Sequence, residues 1–276
     1  MKLYTFFYFG FCFLIISCTK NGSSSTKSNS GLLKNITFIT HPSGFIGPAI
    51  EKYYFTYDEQ NRLSFFIDSG VITNTYAKYN FLYSGNQKIP DSYTLIYDIT
   101  GLYTEVHALT SNAQNQILSD SVVSSNNQSG SGNSYYSYSS GLVTRIASYY
   151  RSELNFTLVL RIDSFYLDAN NNVFQMTIGI NPNLLVGVNG YQSYLTAKYS
   201  YGNISSPFYN TPASLISFLR GGVVSKNCPV TLEEFIDSSG VINRYQYSFK
   251  NDAGPEVLLQ NVINTSTGDT TLYTYY

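Results

Sequence analysis

The chain of 276 residues has no tryptophan, two methionines, two histidines and three cysteines, and only 12% of it is charged. Each scarcity closes off a kind of chemistry. With 16 Lys and Arg against 17 Asp and Glu, no basic surplus exists to neutralise phosphates, which excludes a nucleic-acid binder that works by counterion release. The same balance excludes an acidic disordered tail. His41 and His107 are too few to build a zinc site of the usual His and Cys kind. No Gly-rich phosphate loop and no Gly-x-Ser-x-Gly elbow occurs. These readings imply no cofactor and no metal.

Most informative among the residues that are present is the leading segment MKLYTFFYFGFCFLIISCTK. Lys2 and the amino terminus supply positive charge, and Leu3 to Ile16 is an almost unbroken apolar run. Ile15-Ile16-Ser17-Cys18 then fits the aliphatic–small–small–Cys site at which a bacterial lipoprotein signal is cut and Cys18 is diacylated. A membrane span would need about 20 apolar residues, whereas a signal h-region needs about 7–15. The expected organisation is therefore a signal peptide over 1–17, a flexible tether rich in Ser, Thr, Asn and Gly over 18–31, and a single all-β domain over 32–276. Thr19 carries no inner-membrane retention signal, so the outer membrane is the expected destination, on either its periplasmic or its surface face. Cys12 leaves with the signal and Cys18 carries lipid. Cys228 is then the single thiol of the domain, which builds no intramolecular disulfide. Standing before Pro229, it reads as a small buried hydrophobe rather than a nucleophile.

Aromatics are plentiful, with 27 Tyr and 18 Phe, and they fall in alternation. Tyr53, Phe55 and Tyr57 share one face of a strand, as do Tyr79, Phe81 and Tyr83. Tyr199 with Tyr201, Tyr245 with Tyr247 and Phe249, and Tyr273 with Tyr275 repeat the pattern. Asn, Asp and Gly clusters separate the runs, at Asp58-Glu59-Gln60-Asn61, Ser84-Gly85-Asn86 and Asp168 to Asn172. Those residues accept the positive φ of tight hairpins. The pattern predicts an antiparallel meander, forming a strongly curved sheet or an open or closed barrel. One short helix is expected near 212–220, with Thr211 as cap, Pro212 in the first turn and Gly221-Gly222 as its end. Phe66-Ile67-Asp68-Ser69-Gly70 recurs as Phe235-Ile236-Asp237-Ser238-Ser239-Gly240, either as a duplicated unit or as two solutions of the same turn.

Candidate chemistry is thin. Asp168 to Asn172 imitates the start of a calcium loop but has Val173 where Gly is needed and Gly179 where Glu is needed, which favours a β-turn. Glu233 and Glu234 are adjacent and so point to opposite faces of a strand. A hydrolase of envelope polymers would require two carboxylates in one cleft, for which Asp163 and Glu233 are candidates. Asp120-Ser121-Val122 matches the Asp-Ser/Thr-aliphatic acceptor for periplasmic O-glycosylation, at Ser121.

Tyr53 to Leu63 (YYFTYDEQNRL) resembles a degenerate YD-type repeat, and Asn210 to Tyr276 places a short helix, Ser225-Lys226-Asn227, RYQYSFKND and a closing Tyr-rich strand in succession. This combination resembles a family of Bacteroidota lipoproteins with a domain of unknown function. The resemblance implies a porin-like fold of the kind described for some members, and it brings no functional residues. Three functional classes follow. The leading expectation is a non-enzymatic envelope lipoprotein, held to the membrane by its N-terminal lipid and binding a glycan or an envelope protein. The alternatives are a porin-like membrane-associated β-barrel and the envelope-polymer hydrolase.

Overall fold

Wherever aromatic and polar residues alternate in a described segment, the backbone is extended. The computed structural model describes residues 32–40, 49–70, 75–97, 103–126, 131–151, 156–180, 192–206, 209, 211–236, 241–251, 259–264 and 268–275. They form β1 (Leu33–Thr40), β2 (Ala49–Tyr57), β3 (Leu63–Gly70), β4 (Thr75–Leu82), β5 (Ser92–Tyr97), β6 (Tyr103–Ser111), β7 (Ile117–Ser125) and β8 (Ser131–Ser139). The second half holds β9 (Leu142–Arg151), β10 (Phe156–Leu167), β11 (Val173–Ile180), β12 (Gln192–Ser205), α1 (Ser214–Leu219), β13 (Asn227–Ile236), β14 (Val241–Asn251), β15 (Leu259–Asn264) and β16 (Thr270–Tyr275).

Every strand pairs antiparallel with its sequence neighbour, and β16 returns to β1, with Ile36 opposite Tyr273 and Thr37 opposite Leu272. The sheet is thus a closed barrel, the last of the three forms open from the sequence. Among the described residues, closure leaves no strand edge to template pairing with another chain.

Register sorts the side chains. Phe55 faces Phe66, which faces Tyr79; Phe81 faces Tyr93, which faces His107. All of these are buried inside. Their rings meet edge-on or tilted, as Tyr53 and Phe66 do at 5.3 Å and Phe66 and Tyr79 at 5.4 Å. Such pairs add to the area they remove from water. On the outer face the same strands carry Thr37, Lys52, Thr56, Lys78, Asn80, Lys198 and Thr231. Hydroxyl pairs cross between outward positions at Thr110 and Ser119 (2.7 Å) and at Ser200 and Thr231 (2.5 Å).

Three hairpins at one end share one construction. In β2–β3 the Asp58 carboxylate accepts the N–H groups of Gln60 and Arg62; in β6–β7 Asn112 does so for Gln114 and Gln116; in β10–β11 Asp168 does so for Asn170 and Asn172. Asn61, Asn115 and Asn171 take the left-handed position in each, at φ near 60°. Asn tolerates that conformation better than other residues with a side chain. Asp168 to Asn172 is therefore a turn that spends its carboxylate on its own backbone. The apolar core lies directly beneath this end, at Leu63, Ile117, Val143 and Val173, where the strands leave the turns.

At the same end the connection from β12 to β13 dips into the barrel. Leu215 and Ile216 of α1 join Phe55, Leu63, Phe66 and Tyr136 in one core cluster. The helix spans Ser214–Leu219, close to expectation, but Thr211 does not cap it. Ala213 occupies that position without a side-chain bond, while the Ser214 hydroxyl donates to the Thr211 carbonyl at 2.6 Å. Packing of the apolar side holds this helix in place of a cap. Gly221 ends it at φ +83. Cys228 is buried in the same core, as expected of a small hydrophobe.

The echo of Phe66 and Phe235 does not place the two residues equivalently. Phe66 is fully buried inside, whereas Phe235 pairs with Thr196 on the outer face under the Lys198 ammonium. Asp237 to Gly240 lie outside the described residues.

Candidate functional site

Below the aromatic core, inward positions turn polar. Among the described residues three clusters occupy this belt, and the plug formed by the described residues between 206 and 226 touches two of them.

The first lies on β5–β7. His107 Nδ1 is 2.8 Å from Asp120 Oδ1 and 2.8 Å from the Tyr93 hydroxyl, which also donates to Asp120 Oδ2 at 2.8 Å. On the other side of the ring, His107 Nε2 is 3.3 Å from Glu105 Oε2, and Glu105 accepts from Ser125 and Tyr97. The Tyr93 ring stacks on the imidazole at 4.4 Å. Burial opposes a charged imidazole, but the hydrogen bonds to Asp120 and Glu105 outweigh it and raise the His107 pKa to about 9. The bond from His107 holds the Glu105 carboxyl below its ordinary value against the effect of burial. His107 is therefore a clamped cation with both ring nitrogens engaged, and it offers no lone pair to act as a base.

In the second cluster, on β9–β10, Asp163 is fully buried and accepts from Arg145 at 3.0 Å and from Arg161. Arg145 also donates to Ser134. Its guanidinium lies so close to Gly221 that a Cβ there would collide with Nη1.

The third cluster joins plug to wall. Arg220 donates to the Tyr53 hydroxyl and to Asp68 Oδ2, with its guanidinium 4.8 Å from the Tyr53 ring centre. Across the barrel the Tyr136 hydroxyl donates to the Phe218 carbonyl at 2.5 Å. Contacts to β2–β3 on one side and β8–β9 on the other mean that α1 bridges the lumen. The side chains of Arg220 and Arg161 stay 26% and 30% open to solvent. Water therefore reaches the belt, while Phe55 and Leu63 above it are dry.

Of the residues singled out from sequence, Asp163 faces the lumen and Glu233 faces outward opposite Lys198, so the two do not converge. The alternation of strand side chains forbids it, since Glu234, not Glu233, shares the inner face and accepts from Tyr245 at 3.4 Å. Ser121 lies mid-strand on the outer face of β7, beside inward-facing Asp120. Cys18 and His41 lie outside the described residues. Sequence reasoning missed Asp68, Asp120, Arg145 and Arg220. A signal existed for part of the belt. Asp68 stands two residues after Phe66, Asp163 two before Phe165, His107 two before Leu109 and Arg145 two after Val143, each a polar residue in phase with the buried face.

No protein-family model and no curated protein matches the chain. Among solved structures, it is similar to a porin-like protein from Bacteroides vulgatus ATCC 8482, with TM-score 0.47 and 10% identity over 89% of this chain and 98% of that one. It is likewise similar to a porin-like protein from Bacteroides uniformis ATCC 8492, with TM-score 0.49 and 10% identity over 90% of this chain and 98% of that one.

Proposed function

We propose that the protein is a lipid-tethered, non-enzymatic β-barrel of the bacterial cell envelope. Cys18 carries the lipid, residues 18–31 form the tether, and the barrel stands in water at the outer membrane as a rigid scaffold for a glycan or an envelope protein. The observation that carries this reading is the distribution of side chains between the two faces. Most of the buried aromatic residues fill the inside, while Lys52, Lys78, Lys198 and Glu233 lie on the outside, interspersed with Thr, Ser and Asn and with exposed apolar side chains such as Tyr54, Leu82, Val123 and Phe174. A lysine on a lipid-facing wall costs about 2–4 kcal/mol at the bilayer midplane. The belt supports the non-enzymatic part of the reading, because Asp68, Asp120 and Asp163 are already held by arginine or histidine.

One observation favours a second reading, a porin-like barrel embedded in the membrane. Sixteen antiparallel strands joined only to their neighbours and closed on themselves match the architecture of bacterial outer-membrane barrels. Replacing residues 1–18 by a cleavable export signal separates the two. The tethered barrel is released into the aqueous fraction. Retention in the membrane until detergent is added overturns the tethered reading in favour of the embedded one. A glycan array and pull-downs from envelope extract that both stay blank remove the binding role.

A further inference from the structure

The plug connects to the barrel wall through one charge. Residues 206–226 contain two cationic side chains, Arg220 and Lys226; Lys226 is exposed, and Arg220 reaches Tyr53 and Asp68. Asp68 is 4% exposed. Its Oδ2 accepts from Arg220, but its buried Oδ1 has no hydrogen-bond donor. A second carboxyl, Glu51, lies close enough to act on Asp68. Register explains the approach. Glu51 and Tyr53 share the inner face of β2, with Gly70 opposite Glu51 and Asp68 opposite Tyr53. Gly70 has no side chain to stand between the two acids. Two ionised carboxylates side by side would repel and leave Oδ1 without a donor, whereas one proton between them removes both penalties.

We propose that buried Asp68 keeps a proton in the folded protein, directed at the Glu51 side chain, and that this proton sets how firmly Arg220 fastens the α1 plug across the lumen. With the proton in place, the pair carries a single negative charge that matches Arg220. Without it, two negative charges share one guanidinium beside the buried Asp68 carboxyl, and they separate by drawing more water in beneath the plug. Besides Arg220 and Glu51, the groups facing Asp68 are the Tyr53 hydroxyl from β2 and the Tyr79 hydroxyl from β4. Burial raises both of these further from neutral pH, so neither changes charge there. Burial, opposed by Arg220 and reinforced by Glu51, brings Asp68 to about 7, which places the change in the neutral range.

Hydrogen exchange at the amides of Leu215–Gly222, corrected for the intrinsic rate, tests this at about pH 6 and about pH 8.5. If opening of the plug returns Asp68 to ordinary carboxyl behaviour, protection falls about 10-fold between the two. In Glu51→Gln the amide supplies its own hydrogen to Asp68 Oδ1, and protection stays level. A level response in the unaltered protein, or the same fall in Glu51→Gln, overturns the proposal. Infrared difference spectra of the unaltered protein give a second measurement that needs no variant. A protonated-carboxyl C=O band is expected at the lower pH and lost at the higher. Its absence at the lower pH also overturns the proposal.

Discussion

Replacing Asp120 by Asn removes the nearer counter-charge of His107 while leaving an oxygen to accept from Tyr93. His107 rises from an ordinary 6.5 to about 9 in the folded barrel. A histidine whose pKa is higher folded than unfolded contributes its full stabilisation below 6.5 and loses it as pH climbs through 9. A gap of about 2.5 pH units corresponds to about 3 kcal/mol. Glu105, 3.3 Å from Nε2, remains in the variant and keeps part of it. Asp120→Asn is therefore expected to cost about 2–3 kcal/mol at about pH 6, and about 1 kcal/mol or less above about pH 9.5, where only hydrogen bonding is lost. Urea unfolding followed by tyrosine fluorescence at both pH values measures the difference. An equal loss at both pH values would refute the reasoning, because it would mean that the imidazole is neutral in the native state. Asp68 acts in the same direction. Its carboxyl is raised from 3.8 to about 7, so the stability it contributes is complete below 3.8 and gone above about 7.

Two further substitutions probe the architecture. Phe66→Ala, inside the barrel, should cost about 3–5 kcal/mol as a core cavity, whereas Phe235→Ala in the matching sequence on the outer face should cost about 1 kcal/mol or less; denaturant midpoints of the pair decide, and equal losses would contradict the assigned faces. Gly221→Ala places a Cβ against the Arg145 guanidinium at a left-handed φ, with an expected loss of about 1–2 kcal/mol from the backbone alone; an unchanged melting temperature would show that the plug does not end as described.

Much of the barrel was legible because strand side chains alternate with period two, so each run such as Tyr53, Phe55, Tyr57 declares its own buried face. The helix was legible from Pro212 and Gly221-Gly222, although the cap was not, since Leu215 and Ile216 are stabilised by contacts with strands far away in sequence. The belt was half legible. Asp68, His107, Arg145 and Asp163 break the aromatic phase, but nothing near Asp120 announces that it will meet His107, thirteen residues away across a hairpin. Arg220 meets Asp68 only because the β12–β13 connection enters the lumen.

By itself, then, the sequence determined what each residue contributes locally: the short strands, the Asx turns and the aromatic face. Closure, the opposite placement of Phe66 and Phe235, and the pairing of buried charges were decided by tertiary structure. Alternation states which side chains share a face but not which way that face turns. That choice depends on register, which is settled only when strands distant in sequence pack together and the last one returns to the first.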